Sequence, residues 1–359
     1  MKPCILPWIN FGTNTFGKPR VCGYSSETSD EWDFNSKYFT NIRESFLNNE
    51  WPTNCKRCKH VEELGGTSKR MDENHMWYDT YQHLIGKNVD YYPPHLDVRT
   101  GSVCNFKCIH CGPASSSRWV EDYDLIKRYG FNYPIPDDKW IAQDNKFWES
   151  LDISKIKRYN FLGGESFYNK KHNEFIKMLN ESEYAKDVEI AYVSNGSLKF
   201  ENMENFKKVR LRLSVDCAEE AGEYFRYGLN WDNWCNNISN FPSNFDVSFQ
   251  WTCSNVSMFY LKDTYTYMRT EFPNIRFLFE NHVTEPYHMS AQNLPKKIKE
   301  EICKDIEFIN MPRSYVNYMM EKDGWDGKLI EYLTDLDKAR NTNWRKSLCG
   351  LANRLSGLI

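Results

Sequence analysis

Six short runs of the chain carry apolar residues in the manner of β-strands: HLDVR (95–99), RYNFL (158–162), VEIAYV (188–193), VRLRLSV (209–215), FDVSFQW (245–251) and IRFLFE (275–280). Between them lie stretches with apolar residues at helical spacing. One carries Trp119, Val120, Tyr123 and Ile126 ahead of Gly130, another Phe175, Met178 and Leu179. Strands separated by helices pair in parallel through right-handed crossovers, so the α/β class is expected, as an open sheet or as a complete or partial barrel. Polarity chooses between these. Arg210, Arg212, Ser214 and Asp216 alternate with Val209, Leu211, Leu213 and Val215, and Ser248, Gln250 and Thr252 alternate with Val247, Phe249 and Trp251. A sheet covered on both faces reads apolar on both. One polar face predicts a barrel whose lumen holds a polar ligand, with chemistry at the C-terminal strand ends.

The glycine, asparagine and Pro-Pro pair of GKNVDYYPP (86–94) mark a boundary. Residues 1–92 are then a first domain, 93–290 the βα region and 291–359 a helical, charged extension with helices over 296–308 and around 327–340. A length of 359 residues suits two or three such units.

Composition adds constraints. Apolar residues at 40% and charged residues at 26% are globular values, and a net charge of −3 offers no electrostatic reason to expect a nucleic acid or an anionic membrane as partner. Aromatic residues at 16% suit a peptide or sugar surface as well as a bulky core. The first twenty residues contain three prolines and lack the apolar run of a signal peptide, and no stretch has the length to cross a bilayer, so a cytoplasmic location is expected. Twelve cysteines in a reducing compartment point to metal or catalytic sites where they cluster. Cys217, Cys235, Cys253, Cys303 and Cys349 are scattered and read as small buried hydrophobes.

Directly after the first βα strand stand Cys104, Cys108 and Cys111, three thiols in eight residues on a loop. Such spacing lets thiolates converge on a soft metal or an iron–sulfur cluster, and by itself it leaves open a zinc site completed by a fourth ligand such as His110. A second set, Cys4, Cys22, Cys55 and Cys58, has enough thiols for a tetrahedral zinc or a cubane cluster.

The three-cysteine pattern, with His110 at the aromatic position before the last cysteine, resembles the radical S-adenosylmethionine (SAM) superfamily. Further matches follow in the family's order over roughly 93–285: Gly163-Gly164-Glu165 after the second strand, Ser194-Asn195 with Gly196 after the third, and Ser214 with Asp216 after the fourth, followed by Arg226. The departure is Ser166, where the family usually has proline after its Gly-Gly-Glu.

The resemblance implies a partial (β/α)6 TIM-like barrel. In it Cys104, Cys108 and Cys111 hold a [4Fe–4S] cluster, and SAM fills the open iron and is cleaved to a 5′-deoxyadenosyl radical. Gly163, Gly164 and Glu165 would then hold the SAM amino group, Ser194 and Asn195 the ribose, and Ser214 and Arg226 the carboxylate, with Asp216, Phe106 and His110 beside the cofactor. The Cys-(x12)-Gly-(x4)-Cys element from Cys4 through Gly17 to Cys22, followed by the Cys55–Cys58 pair, is similar to the auxiliary-cluster modules called SPASM and twitch, here placed before the barrel. It implies a second iron–sulfur cluster, fully ligated and suited to relaying electrons in a dehydrogenation or a peptide modification.

An electron donor such as flavodoxin or ferredoxin and an unidentified peptide, sugar or nucleotide substrate complete the expectation. Gln250, Thr252, Glu280 and His282, on the polar strand faces, are candidates for touching substrate or adenine. Phe106 and Phe161 could pack against the cluster or adenosine and are each at least as readily core residues. The alternative is a non-catalytic binding protein stabilised by zinc or an iron–sulfur cluster.

Overall fold

The computed structural model describes residues 2–356 except Leu64 and Asn310, and except the side chain of Glu280. Ten strands occur among them in chain order: β1 (Asn10–Thr13), β2 (Pro19–Arg20), β3 (His95–Arg99), β4 (Lys107–Cys108), β5 (Arg158–Leu162), β6 (Glu189–Ser194), β7 (Lys208–Ser214), β8 (Arg226–Tyr227), β9 (Asp246–Cys253) and β10 (Arg276–His282). The strand pairs are mostly parallel and alternate with helices, the α/β class expected and consistent with a partial TIM-like barrel. The chain divides into two compact units. The first comprises 1–103, 136–192 and 201–209; the second comprises 104–135, 193–200 and 210–359.

In the first unit β6 pairs with β5, β5 with β3 and β3 with β1, all in parallel, and β2 closes the edge antiparallel to β1. Residues 1–92 therefore contribute a strand to the sheet that β3 begins. Tyr159 and Phe161 are fully buried on one face of β5, and the helix Lys170–Asn180 covers them with Phe175, Ile176 and Leu179. Asn169 starts that helix by accepting hydrogen bonds from Lys171 N and His172 N. Met178, expected on the buried face, is exposed, because it falls a quarter-turn off the stripe.

The opposite face of β3 and β5 is polar, as alternation requires, and the chain largely fills it itself. The helix Lys69–Tyr81 lays Glu73 3.7 Å from Arg158 and puts the Trp77 ring 4.6 Å from His95, leaving a small cavity bordered by Asn10, Lys69, His95, Asp97 and Asn160.

In the second unit β7 pairs with β9 and β9 with β10, in parallel. Val209, Leu211 and Leu213 are buried while Arg210, Arg212 and Ser214 are partly exposed, the alternation read from the sequence. The core gathers Trp251, Cys253, Leu261, Ile298, Ile302, Tyr332 and Leu336, so the helices Lys296–Ile309 and Lys328–Arg340 are integral to it. The run at 119–126 is a 3-10 helix (Ser117–Asp122) followed by a short α-helix (Tyr123–Lys127), with Val120 exposed. Of the scattered cysteines, Cys217 and Cys253 are buried as expected, Cys235 and Cys303 are half-buried, and Cys349 is exposed on the last helix, which turns that position outward. No helix among the described residues is long and apolar enough to cross a membrane.

Candidate functional site

The Cys104–Cys111 loop lies in the second unit, where β4 pairs antiparallel with β8 and sets Cys108 opposite Arg226. Cys108 is buried and Cys104 and Cys111 are half-buried. Interaction between the Cys108 and Cys111 thiols lowers the Cys108 pKa and, with burial and the nearby Cys104 thiol, raises that of Cys111 well above the ordinary thiol value.

Polar groups surround this loop. Asn195 Nδ2 donates to Asn105 Oδ1 at 2.8 Å and lies 4.0 Å from Cys104 Sγ. Asn105 Nδ2 donates to Ser197 Oγ at 2.9 Å, and Ser197 Oγ donates back to Asn195 Oδ1 at 2.6 Å. This closed ring fixes the residue after Cys104 against the turn after β6. Asn105 and Ser197 were not singled out from the sequence; the only signal was their place inside the CNFKC and SNGS runs. Ser194 Oγ accepts from Gly196 N at 3.1 Å. Arg226 forms an ion pair with Asp216 at 2.5 Å, both side chains nine-tenths or more buried. Against the burial of its own charge, Asp216 and the Cys108 and Cys111 sulfurs hold Arg226 protonated. His110 tilts on Phe225 with ring centroids 5.0 Å apart, its Nδ1 without a partner, and burial lowers its pKa. Phe106 is 1% exposed.

Gln250 is buried with Oε1 lacking a partner, directly beside Ser214 across the β7–β9 pair, while Thr252 is half-buried. His282 is sandwiched by Tyr315 and Tyr318, each 4.3 Å away between centroids, so helix Arg313–Met320 covers it. The side chain of Glu280 lies outside the described residues.

In the first unit the Gly163-Gly164-Glu165 turn binds the chain's own loop. Gly164 N donates to Gly101 O at 2.9 Å and Glu165 N to Val103 O at 2.7 Å. A Cβ on Gly164 would stand 2.3 Å from Val103 O, and Gly163 has φ +141°. These glycines are thus required by backbone meeting backbone, a closer constraint than the approach of a ligand. Asp138, also unanticipated, accepts from Ser102 N at 2.9 Å and from Ser102 Oγ at 2.7 Å, holding the loop that leads out of β3. Glu165 is 1% exposed and Phe161 belongs to the aromatic core with Tyr159, Tyr192 and His172.

Cys4, Cys22, Cys55 and Cys58 all border one small cavity in the first unit, walled by Leu6, Pro7, Val21, Phe46 and Trp51 with Lys69 and Arg70. Segments far apart in sequence deliver them: the entry to the helix Leu6–Ile9, the exit of β2, the turn Thr53–Cys55 and the helix Lys56–Glu63. Burial, then the neighbouring sulfurs of Cys22, Cys55 and Cys58, raises the Cys4 pKa well above the thiol value. Among the described residues no three His, Cys, Asp or Glu close as tightly as a single ion demands.

Residues 98–267 match the family model described as the Radical SAM superfamily. Among curated proteins, the GTP 3′,8-cyclase of Campylobacter lari is 24% identical over 148 residues, covering 40% of this chain and 39% of that protein. The enzyme of that name from Nautilia profundicola is 26% identical over 136 residues, covering 36% of each. The chain thus aligns with less than half the length of these relatives. Among solved structures, Streptococcus suis SuiB bound to S-adenosylmethionine superposes with a TM-score of 0.39 at 13% identity, over 77% of this chain and 62% of that one.

Proposed function

We propose that the radical SAM domain matched over residues 98–267 makes this chain an enzyme that cleaves S-adenosylmethionine and abstracts a hydrogen atom from a substrate still to be identified. The observation that carries the reading is the family match over residues 98–267, which contains a loop that supplies three cysteines and no fourth.

These three thiolates would hold a [4Fe–4S] cluster, which when bound supplies the electron that splits SAM into methionine and a 5′-deoxyadenosyl radical. Asn195, already oriented by Asn105 and Ser197, presents its amide beside Cys104, where a ribose hydroxyl could accept it. Arg226 is held in place by Asp216 yet keeps Nε without a partner, a donor available to the SAM carboxylate. Ser214 and Gln250 lie side by side on neighbouring strands and offer polar contacts on the same face. Gly163, Gly164 and Glu165 would take the amino group in this reading, with His110 and Phe106 packing beside the cofactor.

The cavity bordered by Cys4, Cys22, Cys55 and Cys58 would hold a second, fully ligated cluster that relays an electron from the substrate radical, making the net reaction a dehydrogenation or a peptide modification. A twitch-like first domain over 1–92, a barrel over 93–290 and a helical extension over 291–359 belong to the same proposal, as does a flavodoxin- or ferredoxin-type donor.

The test is anaerobic purification, iron and zinc analysis, and incubation with dithionite and SAM. The expected result is brown protein with iron for about two clusters and release of 5′-deoxyadenosine. Colourless, zinc-loaded protein that leaves SAM intact would overturn the reading.

A further inference from the structure

The carbonyl oxygens of four successive residues in the three-cysteine loop are each taken by a side chain from outside it. Ser116 Oγ donates to Phe106 O at 2.5 Å, Arg340 Nη2 to Lys107 O at 2.7 Å, Trp119 Nε1 to Cys108 O at 3.1 Å and Tyr332 OH to Ile109 O at 2.7 Å. Buried carbonyls need such donors, but two of these four come from one helix, Lys328–Arg340, more than two hundred residues away.

Arg340 is the unusual member. Its side chain is 7% exposed, with the guanidinium 4.7 Å from the centre of the Trp119 ring and 4.8 Å from that of Tyr227. Nη2 is bound to Lys107 O, while Nε and Nη1 have no partner. Asp122, the carboxylate that acts on Arg340, is itself bound by Lys107. A buried cation whose charge is not fully met is costly, and rings and one carbonyl offset only part of that. The unmet charge sits at the peptide adjoining Cys108. Three thiolates around a cluster carry net negative charge there, and that charge rises by one on reduction.

We infer that the helix Lys328–Arg340 positions the cluster loop through Tyr332 and Arg340, and that the Arg340 guanidinium is the buried counter-charge that raises the reduction potential of the centre held by Cys104, Cys108 and Cys111. The inference rests on the reading of that centre proposed above. It assigns the C-terminal helix a part in the chemistry: a cation near the centre eases the gain of one electron from the external donor, and its loss makes that gain harder.

The experiment compares full-length wild type with Arg340→Met, Arg340→Lys and Tyr332→Phe, reconstituted anaerobically and titrated with dithionite under EPR. The centre is identified as the signal that changes on adding SAM. Arg340→Met should shift its midpoint to lower potential, while Arg340→Lys, which keeps the charge, and Tyr332→Phe, which never carried one, should stay near wild type. The metal-free proteins give a second readout. A counter-charge has nothing to compensate in the empty protein, so metal-free Arg340→Met should lose no more stability than metal-free Tyr332→Phe, which likewise gives up one carbonyl hydrogen bond.

An unshifted potential in iron-loaded Arg340→Met, or a loss of stability in its metal-free form well beyond that of metal-free Tyr332→Phe, overturns the inference and leaves Arg340 a packing residue. A wild-type chain lacking any SAM-responsive signal would instead sink the proposed function itself, whatever Arg340 does.

Discussion

The two cysteine sets solve the same problem by opposite means. Cys104, Cys108 and Cys111 are neighbours in sequence, and their loop is held by side chains that grip its backbone: Ser116, Trp119, Tyr332 and Arg340 on carbonyls, and Asn105 through Asn195 and Ser197. Cys4, Cys22, Cys55 and Cys58 come from four separate segments, and the cavity they border is walled mostly by apolar side chains. The first site is therefore organised by hydrogen bonds that survive without metal. The second is organised by whatever brings distant segments together, which includes any metal it binds.

Activity is where the contrast should be greatest. Cys104→Ala removes a ligand that has no replacement, so 5′-deoxyadenosine release should fall to the uncatalysed background, measured by chromatography after anaerobic incubation. Cys55→Ala should leave that release within about threefold of wild type while abolishing conversion of the true substrate and roughly halving the iron. Normal turnover by Cys55→Ala would remove electron relay from the proposal. Stability should reverse the order. Cys4→Ser, which frees the N-terminal segment from the metal, is expected to lower Tm by about 10 °C or more, whereas Cys104→Ser should change it little; calorimetry on reconstituted protein decides.

Both sets could be proposed as ligand clusters from sequence because thiol spacing is a chemical signal that needs no fold. The six βα strands were legible for a related reason: period-two alternation as in Val209, Leu211 and Leu213 survives without knowledge of partners. Strands β1 and β2 were not, because Asn10–Thr13 and Pro19–Arg20 are too short to show a period, and only pairing, β1 with β3 and β2 with β1, makes them strands. The polar faces of β7 and β9 were read as lining a ligand chamber; on β3 and β5 the polar face is largely occupied by Lys69, Glu73 and Trp77, so alternation reveals a polar face but not what fills it. Arg340 and Tyr332 were invisible, since a charged residue and a tyrosine on a C-terminal helix have no signature until the helix is seen to dock.

Acid should probe the first unit harder than the second. Burial, with help from the nearby Arg158, lowers the His95 pKa from 6.5 to about 3, and burial lowers those of His172 and, in the second unit, His288 to about 4. His172 is also tied to Tyr192 OH, and His288 faces Asp326 and Lys328. Each histidine is neutral when folded and protonates more readily when unfolded, so its contribution is intact above pH 6.5 and is lost as pH falls toward the folded value. Glu73 acts in the same direction lower down: although burial opposes it, Lys69 and Arg158 hold its pKa at about 2 against 4.5. The loss should amount to about 2–3 kcal/mol per histidine by pH 4, seen as a falling Tm from pH 7 downward, and hydrogen exchange should open the segments around His95 and His172 first. A Tm flat between pH 7 and pH 5 would contradict neutral buried histidines.

The smallest effects test how each site's backbone is held. The segment carrying Cys4 is strapped by Asn74, which donates from Nδ2 to Pro3 O and accepts from Ile5 N, both at 2.9 Å, and by Arg43, whose Nε donates to Pro7 O at 2.8 Å. Asn74→Ala breaks two bonds on either side of one ligand and should cost about 1–3 kcal/mol, slowing iron uptake at the four-cysteine site while 5′-deoxyadenosine release persists. Ser116→Ala breaks one of four grips on the three-cysteine loop and should cost only about 1 kcal/mol, because Arg340, Trp119 and Tyr332 remain. If Ser116→Ala disturbed cluster assembly as much as Asn74→Ala did, the four grips would act as one unit and the local loop would be no more robust than the assembled cavity. Equilibrium melts of the metal-free variants, paired with the rate of iron incorporation, separate these outcomes, since a site held by independent bonds loses them additively and a cooperative one does not.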